Sequence, residues 1–385
     1  MLLKKTIYRI LILTLLTTAI NSRIDAHNNY GLPNTFFTMD SVERDAAIRD
    51  LKVKHLKQPA NRTFIRQLAE AYTAKNKIDS ALIFWNLLST QLPRNDSLLF
   101  IQAQLYYDIN RLDKASNKIK KALSLKPENQ IYSDMVALIY YRHMKFDTAR
   151  SVCNDILAKY PDDVNAMMLL GIMLRDEGKH DSAIEQFNKC IKAAPANTEA
   201  LTYRADEYIL QNKYNDALRD YSAARADLST SADVLNNIGI CYYQSGEYQR
   251  AIDFFKRSSA INRYHPQSYF NQGLSYFHLN KTDTAFADIK VAESLWDDCL
   301  LDSCRVYSMD ATYYLGMCYK KTGDLKAAKR IFVILQFEKY HKDLTPEIRI
   351  INFAFFISRN WYYILLLLGL EIALVVVLGN ALKRS

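Results

Sequence analysis

Histidines, cysteines and one carboxylate inside an apolar run are the side chains of this sequence that could do chemistry. The seven histidines, His27, His55, His143, His180, His265, His278 and His341, include no two that are four residues apart. That spacing would put two imidazoles on one helix face to share a metal ion, so no zinc site is expected. There is also no glycine-rich phosphate loop, no Ser-x-x-Lys and no Gly-x-Ser-x-Gly pattern, and neither an enzyme nor a cofactor is expected. Cys299 and Cys304 stand close enough in sequence to close a short disulfide loop. Glu371 lies near the middle of the apolar run Trp361 to Leu382. An acid there costs about 2.5 kcal/mol or more at the centre of a membrane helix. Two readings stand: a contact with a partner's transmembrane helix, helped by the small residues Gly369 and Ala373, or a protonated acid in a lone anchor.

The elements that must position these groups follow from a repeat. Pro59, Pro93, Pro127, Pro161 and Pro195 recur every 34 residues. In the same register an alanine recurs at Ala47, Ala81, Ala115, Ala149, Ala183, Ala217, Ala251 and Ala285, and resumes at Ala328 after a nine-residue insertion. A second position is always small: Ala69, Ala103, Ala137, Gly171, Ala205, Gly239, Gly273 and Gly316. Three residues later comes Tyr72, Tyr106, Tyr140, Leu174, Tyr208, Tyr242, Tyr276 or Tyr319. A further position carries Trp85, Ile119, Cys153, Phe187, Tyr221, Phe255, Ile289 or Phe332. Small residues let two antiparallel helices approach, and bulky ones fill the wedge between them. One such unit cannot bury its apolar face alone, so neighbours must stack. Gly178, Gly246 and Gly323 fall where the turn inside a unit would be. Cys153, Cys190, Cys241 and Cys318 occupy inward positions of the repeat and read as small buried side chains.

The pattern resembles the tetratricopeptide repeat, with eight units over about Arg62 to Lys342 and a leading half unit from Ser41 to Pro59. The resemblance implies an all-α, right-handed superhelical solenoid spanning residues 41–342. Within it, residues 293–309 read as an insertion: a longer helix and a loop projecting from one edge. The family binds extended peptides or partner helices in a concave groove lined by the first helix of each unit. Carried over position by position, that groove is Phe100, Tyr107, Tyr141, Met168, Asn236, Tyr243, Phe270, Phe277 and Tyr313, several of them large aromatics expected to face solvent. The carboxylate-clamp variety needs paired basic residues and asparagines; here Arg66 is followed by Glu70, and the next unit offers Phe100 and Gln104. An apolar or amphipathic segment is the expected ligand.

Both ends point to a membrane. Lys4, Lys5 and Arg9 precede an apolar run from Ile10 to Ile20, the order of a secretory signal peptide over residues 1–26, with an uncleaved anchor as the alternative. A linker is expected over 27–40. Residues 343–360 read as a helix that either caps the last repeat or lies on the membrane. Residues 361–382 are long enough to cross about 30 Å of hydrocarbon, leaving 383–385 as a cytoplasmic tail. The net charge is +9, but removing the five basic residues that flank these two runs leaves +4, too little for a nucleic-acid footprint.

The expectation is a scaffold or adaptor anchored in the cytoplasmic membrane, with its repeats in the periplasm, or alternatively an input module that passes a signal through the span. Asp79-Ser80-Ala81, Asp147-Thr148-Ala149, Asp181-Ser182-Ala183 and Asp283-Thr284-Ala285 resemble acceptor triplets for O-glycans, and equally suit the first turn of a second helix.

Overall fold

The structure is a computed structural model that describes residues 35–226, 229–298, 302–338, 340, 342–356 and 358. The signal segment, Cys299, and the run 361–382 with Gly369, Glu371 and Ala373 lie outside the described residues. Two compact units result, one reaching Asn212 and adding Arg219–Ala224, the other comprising Lys213–Leu218 and everything from Arg225 onward. Each is built from helix pairs joined by tight turns, and no strand occurs among the described residues.

In the first unit, Ser41–Lys57 leads. Four pairs follow: Arg62–Ala74 with Ile78–Gln91, Asp96–Asp108 with Leu112–Leu125, Gln130–Arg142 with Phe146–Lys159, and Val164–Asp176 with His180–Ala193. Thr198–Leu210 comes next, and Tyr214–Ala223 is divided between the units. The second unit pairs Ala232–Gln244 with Tyr248–Ile261, Pro266–His278 with Thr282–Asp297, and Asp302–Thr322 with Leu325–Phe337, and ends in a helix over residues 345–356.

Each pair carries its own start and stop signals. The first helix opens on Asn61, Asn95, Asn129, Asp163, Asn197 or Ser231, whose side chain accepts a hydrogen bond from a backbone N–H of the first turn. That bond satisfies a donor the helix itself cannot. His265 breaks the series, and Pro266 stands first in its helix, where a missing N–H costs nothing. The stop is a residue in the left-handed region at the turn: Asn76, Asn110, Met144, Gly178, Asn212, Gly246, Asn280 and Gly323, with φ between 56° and 89°. At Asn76, Asn110, Met144, Gly178, Gly246 and Asn280 the backbone closes a Schellman motif, as in Lys145 N–H to Tyr140 C=O and Met144 N–H to Tyr141 C=O, both 2.9 Å.

The core is a pairing between the small position of the first helix and the bulky position sixteen residues on. A Cβ placed on Gly171, Gly239 or Gly316 would lie 2.5–2.6 Å from a ring carbon of Phe187, Phe255 or Phe332. Gly273 meets Ile289 in the same way, at 2.6 Å. Where the partner is Trp85, Ile119 or Cys153, alanine fits at 69, 103 and 137, and all of these are buried. The Trp85 indole N–H donates to Thr73 Oγ1 at 3.1 Å, so burial leaves it satisfied.

One boundary differs from the sequence reading. Residues 35–38, inside the expected linker, form a helical turn that buries Phe36, and Arg44 holds it by donating to the carbonyls of Phe36 and Met39. Within the insertion, Thr282–Asp297 runs for 16 residues and Asp302–Thr322 for 21 where other first helices have 13, and residues 299–301 between them lie outside the described residues. Trp296 and Tyr307 stack at 5.5 Å, giving the added turns an apolar surface to pack on. Cys304 is disulfide-bonded, while Cys299, its expected partner, lies outside the described residues. Cys153, Cys190, Cys241 and Cys318 are buried, and burial raises the thiols of Cys153 to about 12 and Cys318 to about 11.

Candidate protein-interaction face

First helices in these stacks sit 34 positions apart in sequence, so a side chain on one meets the equivalent or adjoining position of the next. That contact decides the fate of the nine expected groove residues. Phe100, Tyr107, Tyr141, Met168 and Asn236 are buried, and the expectation that they face solvent is corrected. In four of the five the neighbouring repeat's contact is explicit. The Phe100 ring packs 5.0 Å from that of Tyr132, and the Arg142 guanidinium lies 4.3 Å over Tyr107. The Tyr141 hydroxyl donates to Asp176 at 2.6 Å, and Asn271 donates to Asn236 at 3.0 Å. These residues couple repeats to one another and do not form an open surface.

Tyr243, Phe270, Phe277 and Tyr313, all in the second unit, are partly exposed. The structure joins them through side chains that the position-by-position reading passed over: Tyr248, His278, Tyr314, Tyr340, Lys321 and Lys342. The Tyr243 hydroxyl and His278 Nε2 are 2.9 Å apart, and the His278 ring stacks on Tyr248 at 4.9 Å. Tyr314 stands edge-on to both Phe270 (5.7 Å) and Phe277 (6.3 Å) and beside Tyr313 (5.2 Å), which in turn stacks on Tyr340 at 5.6 Å. Lys321 Nζ lies 4.3 Å over the Phe277 ring, and Lys342 Nζ 4.5 Å over Tyr313. The adjacent pair Tyr313-Tyr314 in the sequence was the available signal for Tyr314. The lysines come from a helix end and from beyond the last repeat, where no periodicity points.

The electrostatics of this face are those of half-dried rings beside cations. Burial, with Tyr314 and Tyr248 nearby, pushes the Tyr243 hydroxyl up to about 12, and burial also raises Tyr313 and Tyr314. Burial and then the Lys321 charge lower His278, so its imidazole is neutral at pH 7 and its Nε2 can accept from Tyr243. Such rings offer area at small entropic cost, and the ammonium groups add attraction for negative charge.

The first unit holds a buried ionic cluster instead. Arg175 lies 4.0 Å from Glu207 and 3.9 Å from Asp176, and its guanidinium sits 4.8 Å from the Tyr203 ring. His180 Nδ1 is 2.6 Å from Glu207. Burial raises Glu207, while His180 and Arg175 oppose the rise. The cluster joins side chains of two successive repeats, Arg175 and His180 from one and Tyr203 and Glu207 from the next. A 250 Å³ cavity lined by Thr282, Asp283, Phe286, Cys318, Tyr319 and Thr322 falls below the roughly 300 Å³ at which small-molecule sites begin. Among the described residues no group of three or more His, Cys, Asp or Glu is placed to hold a metal ion. No helix among them is long and apolar enough to cross a membrane.

Comparison with known proteins agrees with the architecture. Models described as tetratricopeptide repeat match residues 97–129, 232–265 and 310–335, and one described as the TT21 fifth ARM repeats domain matches 131–242. Tetratricopeptide repeat protein 13 of Homo sapiens is 27% identical over 170 residues, covering 43% of this chain and 19% of that protein. The BBSome complex member BBS4 of Bos taurus is 20% identical over 228 residues, covering 59% of this chain and 44% of that protein. The chain thus spans less than half the length of these curated relatives. Among solved structures, a tetratricopeptide repeat protein from Parabacteroides merdae superposes with a TM-score of 0.50 at 22% identity, covering 61% of this chain and 93% of that one.

Proposed function

This chain is a tetratricopeptide-repeat protein, and on that premise we propose that it is a membrane-tethered scaffold that holds a protein partner against the aromatic face of its second unit. Repeat arrays of this kind are surfaces for protein–protein interaction, and nothing in the chain points to catalysis. The observation that carries the reading is the run of partly exposed rings from Tyr243 through Phe277 and Tyr314 to Tyr313, bracketed by Lys321 and Lys342. Among the described residues neither lysine has a carboxylate within ion-pair distance; Lys321 donates to the Phe277 carbonyl at 3.0 Å, and both ammonium groups keep further donors for a ligand. An amphipathic segment bearing acidic side chains suits such a face. The tether is the apolar run Trp361 to Leu382, with the repeats on the far side of the cytoplasmic membrane.

The test is photo-crosslinking in living cells from a probe at Phe277 or Tyr313, with a control probe at exposed Ile83 in the first unit. Capture of one protein from Phe277 and Tyr313 but not from Ile83 is the expected result. Equal capture from all three sites, or none from any, rejects this face as the binding surface.

A further inference from the structure

The exposed phenylalanines among the described residues of the second unit, Phe337, Phe353 and Phe356, lie at its C-terminal end and not on the aromatic face. Leu325–Phe337 buries Ala328, Phe332 and Leu335 and turns Val333, Ile334 and Phe337 outward, Phe337 with 88% of its surface in solvent. The helix over 345–356 repeats the division. Ile351 is fully buried, with Ile348 and Phe355 against the same core, while Ile350 and Phe353 face out, the latter 64% exposed. The two helices are neighbours: Gln336 donates to Thr345 at 3.2 Å, and Lys329 lies 5.9 Å from the Phe355 ring centroid. Arg330 and Arg349 are exposed on the same outward faces. The two expectations for this segment, a cap for the last repeat or a helix on the membrane, therefore need not compete, because opposite faces are available for each.

We propose that these outward faces seat in the interfacial layer of the membrane, with Phe337, Ile350 and Phe353 among the acyl-chain ends and Arg330 and Arg349 at anionic headgroups. The inference rests on the tether reading above. Trp361 opens the apolar run five residues after the described helix reaches Phe356, and five residues span at most about 18 Å. With Trp361 at the headgroup level, where tryptophan and tyrosine concentrate, the 345–356 helix is held within reach of the interface. A helix of this kind, apolar on its outer side with arginine at the border, lies along a bilayer surface and does not cross it. The last repeat would then be fixed in orientation to the membrane and not hang from a free linker.

The test uses the full chain, reconstituted in vesicles of phosphatidylcholine and phosphatidylglycerol, with an environment-sensitive fluorescent amino acid at 337 or 353 and a control at exposed Val291. The expected result is blue-shifted emission at 337 and 353 that is mostly lost when the lipids carry a nitroxide near the headgroup, with Val291 unaffected. Vesicle flotation is read in parallel. A chain that floats while 337 and 353 stay water-exposed overturns this inference and leaves the tether standing. Blue-shifted but unquenched emission means that protein, such as the 361–382 run folded back, covers the patch, and it overturns the inference too. A chain that fails to float removes the tether and the inference with it.

Discussion

Met144 is the one turn residue of its series that is neither asparagine nor glycine, with a φ of 62°. A left-handed backbone costs an ordinary side chain about 1 kcal/mol relative to glycine or asparagine. Its side chain is half exposed, so little packing is lost on replacement. Met144→Gly is expected to stabilise the first unit by up to about 1 kcal/mol, less what glycine's extra unfolded freedom takes back. Urea denaturation of the variant beside the parent checks it, and a lower midpoint contradicts the strain argument. A second residue-scale case is Asp108. Burial raises it from 3.8 to about 6 against the pull of Arg142. Because its folded value lies above its unfolded one, its contribution to stability is full below about 3.8 and is lost as pH rises through 6. Asp108→Asn should therefore gain about 1 kcal/mol at pH 7.5 and much less at pH 4, allowing for partial exposure and the lost Arg142 attraction. Equal gains at both pH values would contradict the assignment.

At the scale of the helix pair, the glycine-to-phenylalanine match sets a hard limit. Gly239→Ala puts a methyl 2.5 Å from a carbon of the Phe255 ring, which is fully buried and has nowhere to turn. The expected cost is about 1–3 kcal/mol of overpacking, read as a drop in Tm. Restoring room with Gly239→Ala/Phe255→Leu should recover part of it. This pairing was legible from the sequence, since positions 239 and 255 both kept the 34-residue register. So were the helix turns at Gly178, Gly246 and Gly323. The equivalent roles of Asn76, Asn110, Asn212 and Asn280, and of the caps from Asn61 to Ser231, were also in register and could have been read the same way. The burial of Phe100, Tyr107 and Tyr141 could not, because a repeat register says which helix face a residue occupies but not how closely the next repeat covers it. Lys342 over Tyr313 lay beyond any register, being fixed by a chain reversal after the last repeat.

At the scale of the whole chain, the proposed tether carries a topology to be tested, since both apolar ends lie outside the described residues. With basic residues outside each run, the repeats are expected on the far side of the cytoplasmic membrane. A reporter that works only in the cytoplasm, inserted at the exposed turn near Asn212, should be silent. The same insert in a chain lacking residues 1–26 should be active, and activity in both would reverse the topology. The scaffold reading and the membrane-seated end also divide the second unit into surfaces with different tasks: rings and lysines for a partner, and aliphatic and phenyl side chains with arginines for lipid.

The start caps and left-handed stops have a consequence for how such a chain can grow or shrink. Each 34-residue stretch brings its own beginning and its own end, so it behaves as a cassette. Excising residues 130–163 would leave Asn129 directly ahead of Val164, a cap of the same kind in the same place as Asp163. The helix that follows would begin as before, and Phe187 would still find Gly171. Length in this molecule is thus a heritable variable that can change by whole steps without redesigning a junction.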